Sequence, residues 1–344
     1  VIISAMSVVS PFGLGTGAFA AGVRAGRPAL STVDGDVPDS RQGRIDGFDV
    51  GAILGETKNL ANLGRAAGLA VGTVALLLRE HDLAEFAPAE KAVVLGGDLI
   101  GTDRAMGIMR ESLTNPQPFQ VNTKDFPSSV MNYSAAQCAI RFGLKGSNTT
   151  VTTGRMTGLS VLNYARRIHR RGRSPIVLAC AVEDLNPRRS WITWHGLGTR
   201  DPLGEGCCVF LTESGESALA HGRRPIAEVL ALEFGVALRP EAVVDTVAAR
   251  IRRALRRARV AEGDVWAAAV SGSSADELAA VSTVLGAGAR VLEPASLIGD
   301  TDGASAAFQL ATAIAHGAAG DIAIVTSVDP DGQVGCGVFR IFDR

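Results

Sequence analysis

The sequence predicts an α/β protein built from two related halves. Short apolar runs alternate with helical periodicity, one glycine-spaced segment recurs in register far along the chain, and the composition is that of a well-buried globular protein. The runs are KAVVLGG (91–97), TTVTT (149–153), PIVLACAV (175–182), VWAAAVSG (265–272) and DIAIVTSV (321–328). Each is flanked by Gly or Pro and followed by a longer amphipathic stretch, the pattern of buried strands joined by helices. The segment 242–260, AVVDTVAARIRRALRRARV, keeps apolar residues at helical spacing and arginines elsewhere, so it reads as a surface helix with a basic, solvated face.

The recurrence involves Gly154, Gly158 and Gly172 in one copy and Gly299, Gly303 and Gly317 in the other. Each copy runs on into an apolar strand that ends in an acid, Glu183 or Asp329. Matching glycines followed by matching strands indicate a duplication. A Gly-rich turn entering a helix points the first helical N–H groups at whatever lies above it, so a nucleophile or an oxyanion would be favoured there. The residues that follow the two leading glycines are Arg155 and Asp300, neither of them a nucleophile suited to that place.

Composition excludes several classes. At 344 residues, with 47% hydrophobic and 20% charged, the chain is large enough for two fused halves sharing a core. A net charge of −1 supplies no global field for nucleic acid or an anionic membrane. No apolar run is long enough for a spanning helix, and the opening Val-Ile-Ile-Ser-Ala-Met lacks a signal-peptide pattern. Five cysteines (138, 180, 207, 208, 336) without paired spacing suggest neither a disulfide framework nor a zinc site, but small buried residues in a reducing cytoplasm. No metal or cofactor is expected. The five histidines (81, 169, 195, 221, 316) read as surface or helix-end residues.

Several ordered motifs resemble the ketosynthase branch of the thiolase superfamily. They are SVVSPFGLGTGAFAAGVRAGRPAL (7–30), AAQCAIRFGLKGSNTTVTTGRMTG (135–158), GEGCCVFLTESGESALAHGRRPIAEV (204–229), ASLIGDTDGASAAF (295–308) and TSVDPDGQVGCGVF (326–339). The resemblance implies a thiolase-like fold, two halves at about 1–220 and 221–344 in α/β/α/β/α layers around one site. Condensing members carry a Cys at the nucleophile elbow and two His in later loops. Here TTGRMTG places Arg155 at the Cys position, VSGSSADE places Ser271 at the first His, and LIGDTDG places Asp300 at the second.

These departures imply a subunit without condensation chemistry. Arginine cannot act as the nucleophile, Ser271 without a nearby base is inert, and Asp300 would repel an oxyanion. A cation at a helix N-terminus opposes the dipole, so Arg155 is expected to pair with Asp300 and plug the site. The mobile, Gly-rich gate of the family is replaced by Val328, Asp329, Pro330, Asp331 and Gly332, a stiffer turn. The segment NPRRSWITWHGLGTRDPLGEG (186–206) is short where the family has a long surface excursion.

By the same resemblance, a homologue that lacks the Cys is a chain-length factor. It pairs with an active ketosynthase, serves an acyl carrier protein through that partner, and shapes the tunnel for the growing chain. The family dimer forms through the strand before the elbow, here NTTVTTG (148–154), and the positions resembling tunnel residues are Leu99, Met106, Met109, Asp125 and Phe126. For the two methionines, ordinary core packing is an equal alternative. Other functions left open are a starter-unit decarboxylase, an acyltransferase of altered chemistry, and a homodimeric scaffold that holds an acyl carrier. Decarboxylating relatives keep the His pair that this chain lacks.

Overall fold

The β-branched and Ala-rich runs form strands because both of their faces are buried. In the computed structural model, which describes residues 1–56, 60, 62–199 and 201–343, every residue of Ile176–Glu183 and of Ile322–Val328 is buried. The strands of the main sheet, in chain order, begin with β1 (Ile2–Ser10), β2 (Lys91–Gly96), β3 (Asn148–Val151), β4 (Ile176–Glu183) and β5 (Gly206–Glu213). They continue with β6 (Ala227–Val236), β7 (Val265–Ala269), β8 (Val291–Leu292), β9 (Ile322–Val328) and β10 (Gln333–Ile341).

The pairing order is β8-β7-β9-β10-β6-β1-β5-β4-β2-β3. From β1 outward the pairs are antiparallel with β5, antiparallel with β4, then parallel with β2 and β3. From β6 outward, β10, β9, β7 and β8 repeat that order and those directions. The duplication seen in the glycine pattern is therefore a duplication of topology. Among the described residues the two sets pair through a short antiparallel contact, Ile2 opposite Glu228 and Ile3 opposite Ala227.

Helices fill the space between and outside the sheets: α1 (Gly15–Ala25), α2 (Arg65–Glu80), α3 (Thr102–Thr114), α4 (Tyr133–Phe142), α5 (Thr157–Arg170), α6 (Pro187–Leu197), α7 (Val243–Ala258), α8 (Ala275–Leu285) and α9 (Ser305–His316). One apolar cluster joins α1, α5 and α9 to the inner faces of both sheets, with Phe19, Leu159 and Phe308 at its centre. A second packs α2 and α4 on the outer face of the first sheet, and a third packs α7 and α8 on the outer face of the second. This is the α/β/α/β/α layering. Helix α7 follows the 242–260 expectation: Val243, Val247, Ala248, Ile251, Ala254 and Leu255 are buried, and its arginines lie on the other face. Helices α5 and α9 cross so closely that a Cβ at Gly158 would lie 2.6 Å from the Ala307 main-chain nitrogen, which explains that glycine of the repeat.

The register of the repeat differs from the glycine match. Helix α5 starts at Thr157 and α9 at Ser305, each after a one-turn 3-10 segment, Gly154–Met156 and Asp302–Ala304. The residue matching Gly154 is thus Asp302 rather than Gly299, and both have positive φ, 56° and 44°. Asp300 sits two residues before the turn, in the loop leading to it, and is not the counterpart of Arg155. Glycine spacing alone could not reveal this, because a non-glycine residue occupies the strained position in the second copy.

Candidate functional site

Strand β3 ends at the turn that carries Arg155. Gly154 permits the positive φ of the turn, and Thr157 Oγ1 fastens it by donating to Gly154 O (2.7 Å) while accepting from Thr153 N (2.8 Å). The Asp300 loop comes from the other half and is fixed by its backbone. Asp300 N donates to Pro202 O (2.8 Å), and Asp300 O accepts from Gly204 N (2.8 Å) and Arg189 Nη2 (2.9 Å). Arg189 is 1% exposed and its Nη1 also donates to Asp184 O (3.0 Å) and Gly204 O (2.7 Å). One buried cation therefore ties three main-chain segments together at the site.

The expected plug is present. Arg155 donates from Nη2 (2.7 Å) and Nε (3.2 Å) to Asp300 Oδ2, and Asp300 Oδ1 accepts from Asp302 N (2.8 Å). The side chains are 8% and 16% exposed, so the pair is largely removed from solvent screening. Burial works against both charges, but each partner prevails: Asp300 keeps a lowered pKa and Arg155 a raised one. Desolvation and the neighbouring Asp300 carboxylate push the half-buried Asp302 up to about 7.

Ser271 has a base beside it, contrary to the sequence expectation. Its Oγ donates to Glu277 Oε2 at 2.5 Å, its N–H donates to the same oxygen (3.0 Å), and Thr326 Oγ1 donates to Oε1 (2.7 Å). Glu277 is fully buried, and burial lifts its pKa to about 7 despite these donors. The acid stands six residues after Ser271 in the quoted VSGSSADE motif. In sequence a first-turn Glu in a helix reads by default as dipole compensation, which hides its role as a partner of Ser271.

Arg155, Ser271 and Asp300 line a single cavity of about 690 Å³, walled also by Leu203, Ala237, Val243, Val328 and Asp329. The replaced gate is a tight hairpin between β9 and β10, closed by Asp329 N donating to Gln333 O and Gly332 N to Asp329 O, both 2.9 Å. The tunnel candidates do not line this cavity. Leu99 follows β2, half-buried, with its N–H donating to Glu183 Oε1 (3.1 Å). Met106 and Met109 lie on α3, 38% and 63% exposed, which removes core packing as their explanation. Asp125 accepts from Arg104 Nη1 (2.9 Å), and Phe126 is 51% exposed. All five histidines stand in the last turn or at the C-cap of a helix; His169 is partly buried between Ser174 O and Thr212 Oγ1, and burial lowers its pKa to about 4.

Duplicated five-stranded sheets around a central helical layer, with an elbow from one half facing loops of the other, define the thiolase-like class. The chain belongs to the beta-ketoacyl synthase family: residues 1–205 match the family described as beta-ketoacyl synthase, N-terminal domain. It is 26% identical over 372 residues to "Putative polyketide beta-ketoacyl synthase 2" of Streptomyces virginiae, covering 96% of this chain and 89% of that protein. It is also 26% identical over 251 residues to an actinorhodin polyketide beta-ketoacyl synthase 2 homologue of Streptomyces coelicolor, covering 65% and 60%. Among solved structures, the ishigamide ketosynthase/chain length factor superposes with a TM-score of 0.92 at 36% identity over 99% of both chains. A type II polyketide synthase ketosynthase solved with its acyl-carrier protein shares the fold, with a TM-score of 0.84 at 18% identity over 99% of both chains. The chain is thus a ketosynthase/chain-length-factor-like protein. No helix among the described residues is long and apolar enough to cross a membrane.

Proposed function

We propose that this chain is a non-catalytic chain-length factor that pairs with an active ketosynthase and shapes the tunnel in which the polyketide grows. The observation that carries the reading is the Arg155–Asp300 ion pair (2.7 Å) at the cavity wall, where condensing relatives need a thiolate and an imidazole. An elbow with a guanidinium locked to a carboxylate has no group that can take an acyl chain. Ser271 does not restore one, because its hydroxyl is spent on a buried carboxylate and its residue is 2% exposed.

Pairing is supported at the other side of the elbow strand. β3 ends the sheet and, among the described residues, pairs with β2 alone, leaving an open edge, and its residues are half-buried or exposed. Helix α4, which packs against β3, exposes Ile140, and Met109, Leu113, Phe126 and Met131 are exposed in the same connection between β2 and β3. An unpaired edge beside such residues suits a stable partner with the same fold. Two similar structures, a ketosynthase/chain length factor and an acyl-carrier protein in complex with its ketosynthase, support these partners. Leu99, Met106, Met109, Asp125 and Phe126 belong to the segment that connects β2 to β3, and the same proposal assigns them to a chamber shared with the partner. The halves 1–220 and 221–344 and a cytoplasmic location belong to the same proposal, the latter supported by five free, buried cysteines.

The test is co-expression with a Cys-containing type II ketosynthase and its acyl carrier protein. A stable one-to-one complex that makes product, with this chain alone inactive toward acyl and malonyl thioesters, supports the reading. Failure to bind any ketosynthase, or turnover by the isolated chain, overturns it.

A further inference from the structure

Each half ends its long apolar strand on an acid, Glu183 in β4 and Asp329 just after β9, and each carboxylate turns onto main-chain N–H groups. Glu183 accepts from Asp98 N (2.8 Å) and Leu99 N (3.1 Å). Asp329 is 8% exposed; its Oδ2 accepts from Arg155 N (3.0 Å) and its Oδ1 from Asp331 N (3.1 Å).

The Arg155 N–H is the donor that matters. It lies in the turn opening the 14-residue helix α5, where unpaired N–H groups and the helix dipole favour an anion. In an acyl-transfer site such a donor, 2.7–3.1 Å from the reacting oxygen, would hold the oxyanion. Here a carboxylate oxygen is already at that distance. It also fills the space over the turn, since a Cβ at Gly154 would lie 1.8 Å from Asp329 Oδ2. The hairpin holds it there through the two main-chain bonds that close residues 329–333.

We propose that Asp329 is an internal anion seated in the oxyanion position of the elbow, and that this position is a latent binding point for a small carboxylate, closed in the native chain. The inference rests on reading the cavity as a degenerate acyl-transfer site. It adds a block that the three replaced catalytic positions do not describe: restoring Cys at 155 and His at 271 and 300 would still leave a carboxylate where the thioester oxygen must go.

The experiment compares the full chain with Asp329→Ala and Asp329→Asn in thermal unfolding, in sodium acetate against sodium chloride of equal ionic strength. Asp329→Ala vacates the position, so its Tm falls, and acetate raises it by a constant increment for each tenfold rise in concentration above the Kd. The unaltered chain and Asp329→Asn, which keeps an acceptor oxygen in place, show no acetate-specific rise. Hydrogen exchange at the peptide containing Arg155 gives a second reading. The amide should exchange at least about tenfold faster in Asp329→Ala, be slowed by acetate, and stay protected in Asp329→Asn. Equal acetate effects in all three proteins, or none in a folded Asp329→Ala, overturn the proposal. If Asp329→Ala does not fold in chloride, refolding yield replaces Tm, and a yield unchanged by acetate overturns it. Binding of a ketosynthase is measured separately, so failure of the pairing proposal leaves these readouts unchanged.

Discussion

Removing one member of the Arg155–Asp300 pair should cost nearly as much as removing both. The pair joins the two halves, is largely buried, and uses one carboxylate oxygen for two guanidinium N–H groups. Breaking a buried pair from one side costs about 3–5 kcal/mol, because the remaining charge stays buried without its partner. Two features place Asp300→Ala near the lower bound. Arg155 keeps Asp302 and Asp329 in its neighbourhood, and the cavity allows some water to reach it. Asp300→Ala and Arg155→Ala are each expected to lose about 3 kcal/mol, and the double variant about 3–4 kcal/mol, a coupling of about 2–3 kcal/mol. The assay is equilibrium urea unfolding of the four proteins at neutral pH. Losses that add to within about 0.5 kcal/mol would refute the reasoning, since independent sites behave that way.

Four other outcomes follow from the same geometry. Because the folded Glu277 pKa is raised to about 7 from an unfolded value near 4.5, its stabilising neutral form is intact below the unfolded pKa and lost as pH rises through 7. Glu277→Gln should therefore gain on the native chain by up to about 3 kcal/mol between pH 5 and 8, measured by urea unfolding at each pH; a constant difference would contradict the assigned burial. Asp300 has a lowered pKa, so its contribution is present above its unfolded pKa and fades as pH falls through the folded value; Asp300→Asn should flatten the acid limb of the stability profile. Arg155→Cys alone should give no acyl-enzyme by intact mass. In the reconstituted pair, Leu99→Phe should shorten the product and Phe126→Ala lengthen it or broaden its distribution, by mass spectrometry; identical products would remove the tunnel role.

Much of the architecture was legible because it rests on periodicity. All five apolar runs are strands, the 242–260 segment is an amphipathic helix, and the glycine recurrence marks a duplicated topology. The ion pair was legible because dipole and charge argue for it without coordinates. What escaped depended on long-range contacts. Asp329 could be noted as an acid ending a strand, but its seat on the Arg155 N–H depends on a hairpin of the second half meeting the elbow of the first. Arg189 reads as a surface arginine until three carbonyls converge on it. The Glu277 partner of Ser271 is not legible in sequence, because the turn that folds it back under Ser271 has no spacing rule. The register error has a backbone cause: Asp302 adopts the left-handed conformation that glycine was expected to mark.

The central claim is that this chain supplies shape while a partner supplies chemistry. Its most direct test is intact-mass analysis of both subunits during turnover, with the chain reconstituted beside an active ketosynthase and a loaded acyl carrier protein. The account predicts acyl groups that appear and turn over on the ketosynthase alone, with this chain at its unmodified mass throughout and product lost when it is omitted. An acyl group that forms on this chain and is consumed with product formation would contradict it.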